Sequence, residues 1–361
     1  MSTESLSWDL GTAYDFFISL HVLHNPDKFG LRGSWAAGVR SRLPHPERKT
    51  LELADQAFWI PNHWIYRLPE PKDSQGALDA LAAIPAADRL PQLALRPIAS
   101  MEERELLLDV RARGAWDSRA ADGLKTCLKS RGHSARQEQI ETILNAWAQA
   151  EETGAAYLQA LQAYREVFFA EEERRILPAV KKAYDQARRL AKKLEIEALL
   201  EELSQGVRFE PPLYDPDHDL VLVPSFWSTP LVIYEKLPDG RWIFIFGART
   251  HESSLVPGDL VPDTLLQALK ALADPTRLRI LRYLVDQPMT PTMLARKLRL
   301  RAPTVVHHLS ELRLAGLVQL TVEATGKKSE RRYAARMETL PKINGALQNF
   351  LSQKDDITAE D

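Results

Sequence analysis

The fold of this chain is decided by residues 265–335, which read LLQALKALADPTRLRILRYLVDQPMTPTMLARKLRLRAPTVVHHLSELRLAGLVQLTVEATGKKSERRYAA. Four short segments with apolar residues at helical spacing are followed by two β-rich runs around a basic, glycine-containing tip. Helical periodicity that gives way to strands predicts a helix-turn-helix with a β-hairpin, the wing. We therefore expect a mainly α (α+β) fold class with a winged helix-turn-helix at residues 263–337.

The first two helices of the helix-turn-helix begin at recognisable signals. Asp274 is a typical N-cap and Pro275 a typical first helical residue, and a second helix is expected at about Pro291 to Leu298. The recognition helix should follow from near residue 303 to residue 316.

The recognition helix is predicted to have two different faces. At about 100° of rotation per residue, Val305, Leu309 and Leu312 fall on one side. The residues expected on the opposite side are Pro303, His307, Ser310 and Leu314. An apolar inner face and a small, polar outer face near the N-terminus suit the major groove of DNA.

Three runs in this stretch together resemble the ArsR/SmtB family of winged-helix transcriptional regulators. They are LADPTRLRIL at 272–281, TVVHHLSELRLAGLV at 304–318, and a basic hairpin that ends in RRY at 331–333. The resemblance covers about the last quarter of the chain. It implies a homodimer that binds an imperfectly palindromic operator in double-stranded DNA and represses until an effector binds. It also implies that the helices flanking the winged helix form the dimer interface.

The candidate DNA contacts form two groups. Those in and before the recognition helix are Arg299, Arg301, Thr304, Val306, His307, His308, Ser310 and Arg313. Those in the wing, expected to meet backbone phosphates, are Lys327, Lys328, Arg331 and Arg332. The family usually has polar residues where this chain has Ala302, Pro303 and Val306, whereas Thr304, His307 and His308 match its pattern.

The charge of the chain is unevenly distributed. Residues 263–340 contain 14 Lys and Arg against 7 Asp and Glu, whereas the rest contains 33 against 42. Positive charge therefore concentrates where phosphate contacts are needed, and the acidic remainder would repel DNA. This division favours a DNA-binding module joined to a domain with a different role.

The sequence predicts an intracellular protein. Cys127 is the sole cysteine, so no intramolecular disulfide framework exists and a reducing compartment is expected. No apolar run approaches the roughly 18 residues that a membrane-spanning helix needs. We therefore expect a cytoplasmic protein without a membrane partner.

The region before the winged helix is expected to be a helical N-terminal domain at residues 1–205. Helical spacing predicts helices at about 10–25, 74–84, 101–113, 119–130, 135–150 and 171–204. Gly154 is expected to break the chain between two helices. Four β-rich runs within residues 206–256 predict a small antiparallel β-sheet that closes this domain. After the winged helix, residues 338–352 are expected to form one more amphipathic helix, which either joins the dimer interface or packs on its own domain.

Aromatic residues concentrate in the first third of the chain. The candidate ligand-contacting residues are Trp35, Phe58, Trp59, Trp64 and Tyr66. Core packing is the commoner role for any one of them. Their density nevertheless makes this region the best place for a small-molecule effector to bind.

The sequence carries no recognised catalytic or metal motif. Phosphate-binding loops, nucleophile elbows and zinc-hydrolase helices are absent, so we expect no enzyme, no catalytic residues and no cofactor. His21 and His24 are three residues apart, yet no Cys or acidic partner has metal spacing. The resemblance places Thr290, Pro291 and Thr292 where metal-sensing relatives have cysteines, so no metal site is expected. The alternative interpretation is an enzyme or scaffold that uses the winged helix for protein assembly.

Overall fold

A computed structural model describes residues 6–31, 33–96, 99–131, 135–210, 219–249, 261–325 and 328–352. The described chain is mainly helical, with two small sheets and a C-terminal helix-turn-helix, so the expected fold class is confirmed. The helices before the first sheet are α1 (Thr12–His24), α2 (Gly33–Ser41), α3 (His45–Ala57), α4 (Asn62–Ile65), α5 (Ser74–Ala82), α6 (Ala86–Ala94), α7 (Met101–Arg113), α8 (Ser118–Ser130), α9 (Gln137–Ala148), α10 (Ala150–Tyr164), α11 (Ala170–Ala191) and α12 (Ile196–Leu203). The strands are β1 (Leu6–Trp8), β2 (Val207–Glu210), β3 (Leu220–Ser225), β4 (Ile233–Lys236), β5 (Trp242–Gly247), β6 (Val318–Thr325) and β7 (Lys328–Ala335). The later helices are α13 (Asp263–Leu272), α14 (Pro275–Asp286), α15 (Pro291–Leu298), α16 (Ala302–Leu314) and α17 (Thr339–Ser352).

The main core of the N-terminal domain is built around α1, which is buried on nearly all sides. The ring of Phe16 lies 5.8 Å from that of Tyr164 and 5.0 Å from that of Phe169, measured between centroids. Tyr164 ends α10, and Phe169 closes a π-helical turn at Arg165–Phe169. A second, separate core joins α7, α8 and α9 around the buried side chain of Trp147.

The sheet of the N-terminal domain is mixed, which corrects the expectation of an antiparallel one. Its strand order is β1-β3-β5-β4, with β1 and β5 both parallel to β3 and β4 antiparallel to β5. The parallel pairing of β3 is consistent with the burial of both faces of this strand. Val221 and Val223 of β3 pack towards the core around α1, whereas Leu220 and Leu222 pack with α12. Strands covered on both faces are typically parallel.

Strand β2 departs from the expected grouping of residues 206–256. It pairs in parallel with β6, so the second sheet has the order β2-β6-β7 and includes the wing. The backbone amide of Leu320 donates to the carbonyl of Gly206 at 2.9 Å. The described strands within residues 206–256 therefore belong to two different sheets.

Gly154 does not break the chain between two helices, as the sequence suggested, but lies inside α10. A Cβ at this position would come within 2.0 Å of the carbonyl oxygen of Ala86. The glycine therefore permits close packing of α10 against the start of α6. The helix expected at residues 171–204 is in fact two helices, because α11 ends at Ala191 and α12 begins at Ile196.

Candidate DNA-binding surface

The first two helices of the helix-turn-helix begin where the sequence predicts. The carboxylate of Asp274 accepts a hydrogen bond from the backbone amide of Arg277 at 2.9 Å. The hydroxyl of Thr290 accepts one from the amide of Met293 at 3.3 Å. Each cap satisfies an amide that the first helical turn would leave unpaired.

The rotation of α16 about its own axis is fixed by a small apolar core. The side chains of this core on α14, α15 and α16, each at most 5% exposed, are Ile280, Leu284, Leu294, Leu298, Val305, Leu309 and Leu312. Tyr333 of β7 packs into the same core. Because Val305, Leu309 and Leu312 point inward, the opposite side of α16 points to the surface.

The first half of α16 presents a mixed polar face. Thr304, Val306, His307 and Ser310 are exposed, and Val306 is 48% exposed despite its apolar side chain. Leu314, expected on this face, is instead 8% exposed, because the chain turns back at Gly316 and encloses the last turn. The exposed face of α16 therefore ends near Ser310.

His308 and Arg313 lie on the flanks of α16. The pKa of Asp274 is lowered chiefly by its backbone hydrogen bonds, and His308 adds to that lowering. His308 therefore lies near Asp274, at the start of α14. Arg313 is half-buried, and desolvation lowers the pKa of its guanidinium while the nearby Tyr333 opposes that shift. Both side chains are thus turned towards the protein more than Thr304 or His307.

Exposed cations surround the N-terminal end of α16. Arg299, which adopts a left-handed conformation at φ 57°, and Arg301 are exposed as expected. Arg296 and Lys297 of α15 are also exposed, and sequence reasoning overlooked them. The periodicity that buries Leu294 could have identified both. No side chain caps the first turn of α16, so its free amides add a partial positive charge suited to a phosphate.

The wing contributes further positive charge. Arg331 and Arg332 are both exposed on β7, and because they are adjacent in a strand they point to opposite faces of the sheet. Arg331 shares the face of Tyr333, towards Arg313. Lys327 and the side chain of Lys328 lie outside the described residues, so their assignment as phosphate contacts stays a prediction.

Comparison with protein families agrees with this geometry. Residues 272–321 match the model of a helix-turn-helix domain. The chain carries a DNA-binding helix-turn-helix domain. The match spans α14, α15 and α16 and the start of the wing. The comparisons with curated proteins and with solved structures each returned no match.

The described helices were compared with the length and hydropathy that a membrane-spanning helix needs. Within residues 6–352, outside the gaps given above, every helix is too short or too polar to cross a membrane.

The five candidate ligand-contacting aromatics do not gather in one place. Phe58 and Trp59 line the same large cavity. Trp64 is buried in the main core, and Trp35 stacks on Trp227 with 5.3 Å between ring centroids. Two cations lie close to the ring of Tyr66, with Lys72 Nζ 4.9 Å and Arg241 Cζ 5.0 Å from its centroid.

The two histidines that are three residues apart, His21 and His24, both make hydrogen bonds within the protein. His21 Nδ1 is 2.8 Å from a carboxylate oxygen of Asp55, and His24 Nδ1 is 2.8 Å from the carbonyl oxygen of Leu20. Among the described residues, no three His, Cys, Asp or Glu side chains are grouped to hold a metal ion.

Proposed function

We propose that this protein is a transcriptional regulator of the ArsR/SmtB type, without enzymatic activity. In this proposal it acts in the cytoplasm as a homodimer on a palindromic operator. It represses transcription until an effector binds to the N-terminal domain.

One observation carries the DNA-binding part of this proposal. The exposed first half of α16 lies next to the exposed cations of the preceding turn, with the wing arginines on the same domain. Side chains such as those of Thr304 and His307 can reach base edges in the major groove. Arg299 and Arg301 can meet phosphates, which fix the position of the helix on the duplex.

The dimer is supported by the two helices that flank the helix-turn-helix. Helix α17 packs against α13, and its apolar end remains partly uncovered, with Leu351 72% exposed. A second copy of the chain would cover this apolar surface. The resemblance to ArsR/SmtB regulators adds the expectation of a two-fold symmetric operator, because a symmetric dimer presents two recognition helices.

The first test is a titration of labelled random duplex DNA at about 50 and 200 mM salt. A protein that neutralises six to ten phosphates should lose about 10³–10⁵ in affinity over that range. Selection from genomic fragments should then recover a palindromic site, and sedimentation should show a dimer. Absence of DNA binding at low salt would favour the scaffold interpretation.

The second test addresses base reading. The double variant Thr304→Ala/His307→Ala should lose preference for the selected site while its Tm stays unchanged, since both side chains are exposed. Thr126→Ala, an exposed threonine on α8, is the control and should bind as the wild type does. Unchanged site preference in the double variant would contradict the assignment of α16.

A further inference from the structure

The second core of the N-terminal domain borders a large cavity. Its volume is about 620 Å³, within the range of about 300–1,000 Å³ typical of small-molecule sites. Its described lining comes from the ends of α1 and α3, from Ala94, Arg96 and Ala99 near the end of α6, and from helices α7, α8 and α9. Sequence reasoning singled out two of its residues, Phe58 and Trp59.

The floor of the cavity is apolar and already well packed. Its side chains include Leu107, Leu124, Ile143 and Trp147, each at most 8% exposed. All four belong to the second core, so the floor does not depend on a ligand for its shape. An apolar molecular body can therefore bind there without first ordering the protein.

One wall of the cavity carries buried charges. Arg131 and Glu103 are 2.7 Å apart, and Arg96 is 3.3 Å from Glu235 of β4. Desolvation is the main cause that lowers the pKa of Arg96, and the charge of Arg131 lowers it further. The two guanidinium groups therefore lie close together. Each is less than one-fifth exposed.

These buried guanidinium groups have unused hydrogen-bonding capacity. Within the described part of the chain, Arg96 Nε and Arg131 Nε are buried and have no acceptor. A buried donor without a partner is costly, and arginine cannot relieve the cost by losing its proton. A ligand oxygen with negative charge would pair instead with the part of each guanidinium group that remains accessible, since the two side chains are 19% and 18% exposed.

The remaining features of the wall favour an aromatic ligand with a negative charge. Trp59 is 43% exposed, and the guanidinium of Arg96 lies 5.4 Å from its ring centroid. Each oxygen of the Asp55 carboxylate already has a partner in the protein, since one pairs with His21 and the other accepts from Asn25. Lys28 and Arg136 add positive charge at the rim, and Glu138 adds a negative charge, so the lining holds four Lys or Arg side chains against three Asp or Glu.

We propose that this cavity binds an aromatic carboxylate, whose carboxylate pairs with Arg96 or Arg131 and whose ring lies between Trp59 and the apolar floor. Binding of this ligand to the cavity does not depend on whether the protein binds DNA. Its role as the effector site rests on the proposed function. The ion pair between Arg96 and Glu235 would then link the ligand to β4, whose Tyr234 contributes to the electrostatic surroundings of Arg313 in α16.

The experiment uses the full chain and three sets of probes: benzoate, phenylacetate and 1-naphthoate, their neutral amides, and the corresponding arylmethyl ammonium ions. Calorimetry and thermal shift should show binding of at least one carboxylate, with its amide at least tenfold weaker. Failure of every carboxylate to bind, or equal binding of amide and acid, would overturn the proposal.

Two variants test the position of the ligand. Trp59→Ala should weaken binding of the carboxylate roughly 2- to 12-fold, which is the effect expected from the loss of one contact between aromatic rings. Leu53→Ala is the matched control, because Leu53 is also 43% exposed but lines a neighbouring cavity of about 340 Å³. Equal weakening in the two variants, or unchanged binding in Trp59→Ala, would contradict this site.

The effector role is tested separately, by measuring operator affinity with and without the bound carboxylate. A carboxylate that binds in the cavity but leaves operator affinity unchanged would overturn the effector role alone. A protein that binds no DNA would overturn the proposed function, whereas the calorimetry would still decide the cavity.

Discussion

The backbone amide of Leu320 in β6 donates a 2.9 Å hydrogen bond to the carbonyl oxygen of Gly206, so the wing is directly bonded to the end of the N-terminal domain. Two side-chain contacts strengthen this connection. Gln319 donates to a carboxylate oxygen of Glu201 at 2.5 Å, and Arg336 donates to the carbonyl of Gln205. A change in the position of α12 would therefore be transmitted to the wing.

Substitution of Gly206 should loosen this connection. Gly206 has φ +97°, and a Cβ there would come within 2.8 Å of Arg336 Cδ. Gly206→Ala should lower the free energy of unfolding by about 1–3 kcal/mol, as expected for a strained non-glycine residue. Hydrogen exchange at the Leu320 amide should become faster.

The control for this variant is Gly114→Ala. Gly114 also has a positive φ, of +64°, but the nearest atom to its Cβ is the carbonyl oxygen of Ala148 at 3.8 Å. It should cost stability without selectively exposing the Leu320 amide. If both variants change Leu320 exchange equally, the β2–β6 pairing does not hold the wing.

The wing lysines should determine part of the salt dependence of DNA binding. Lys327→Ala/Lys328→Ala should reduce the slope of log affinity against log salt by up to about 1.8, at about 0.9 for each phosphate that the variant no longer neutralises. The slope is measured with the selected operator between about 50 and 200 mM salt. Lys125→Ala/Lys129→Ala, which removes two exposed lysines from α8, should leave it unchanged. Identical slopes in all three proteins would exclude phosphate contacts by Lys327 and Lys328.

The boundaries of the helix-turn-helix could be predicted from sequence because their causes are local. Asp274 and Pro275 start α14 through contacts within one helical turn, and the periodicity of α16 correctly predicts that Val305 and Leu309 are buried. The exposure of Thr304 and His307 follows from the same periodicity. These parts of the candidate site needed no tertiary information.

The sheets were less predictable because their partners are distant in sequence. Leu6 pairs with Leu220, and Val207 pairs with Leu320. A three-residue strand such as β1 carries no periodicity from which its direction could be inferred. The uninterrupted apolar residues 220–223 and 243–246 are nevertheless typical of strands buried on both faces, and they could have indicated parallel pairing.

A buried ion pair anchors the N-terminal strand to the body of the domain. Lys72 Nζ lies 2.6 Å from a carboxylate oxygen of Asp9, and both side chains are less than one-tenth exposed. Lys72→Met should lower the free energy of unfolding by about 3–5 kcal/mol, because it leaves the Asp9 charge buried without its partner. Urea denaturation measures the decrease.

Two further variants show whether the unpaired charge is the cause. Asp9→Asn/Lys72→Met should recover part of the stability, since no buried charge remains. Arg113→Ala breaks an exposed ion pair with Asp109 and should cost less than about 1 kcal/mol. A double variant no more stable than Lys72→Met would point to poorer packing as the cause.

The stability of the protein should fall as pH rises towards neutrality, because of Asp15. Its side chain is fully buried; Oδ1 accepts hydrogen bonds from Ser225 Oγ at 2.7 Å and from the Trp227 amide at 2.9 Å. Desolvation raises the pKa of this carboxyl to about 7 from 3.8. The folded state thus holds the proton more tightly than the unfolded state, and folding loses stability between about pH 4 and 7. The full loss is at most on the order of 4 kcal/mol.

Asp15→Asn should flatten this pH dependence, because the amide keeps an acceptor for Ser225 and Trp227 but does not ionise. Tm is measured from pH 5 to pH 8 for both proteins. The slopes of Tm against pH are compared, because the new amide N–H₂ at the position of Oδ2 lowers the stability of the variant at every pH. Asp239→Asn is the control: the pKa of this exposed carboxyl is lowered by its hydrogen bond with Arg241, so its contribution to stability changes below about pH 4. The control should keep the wild-type slope above pH 5. A slope in Asp15→Asn equal to that of the wild type would show that another group titrates in this range.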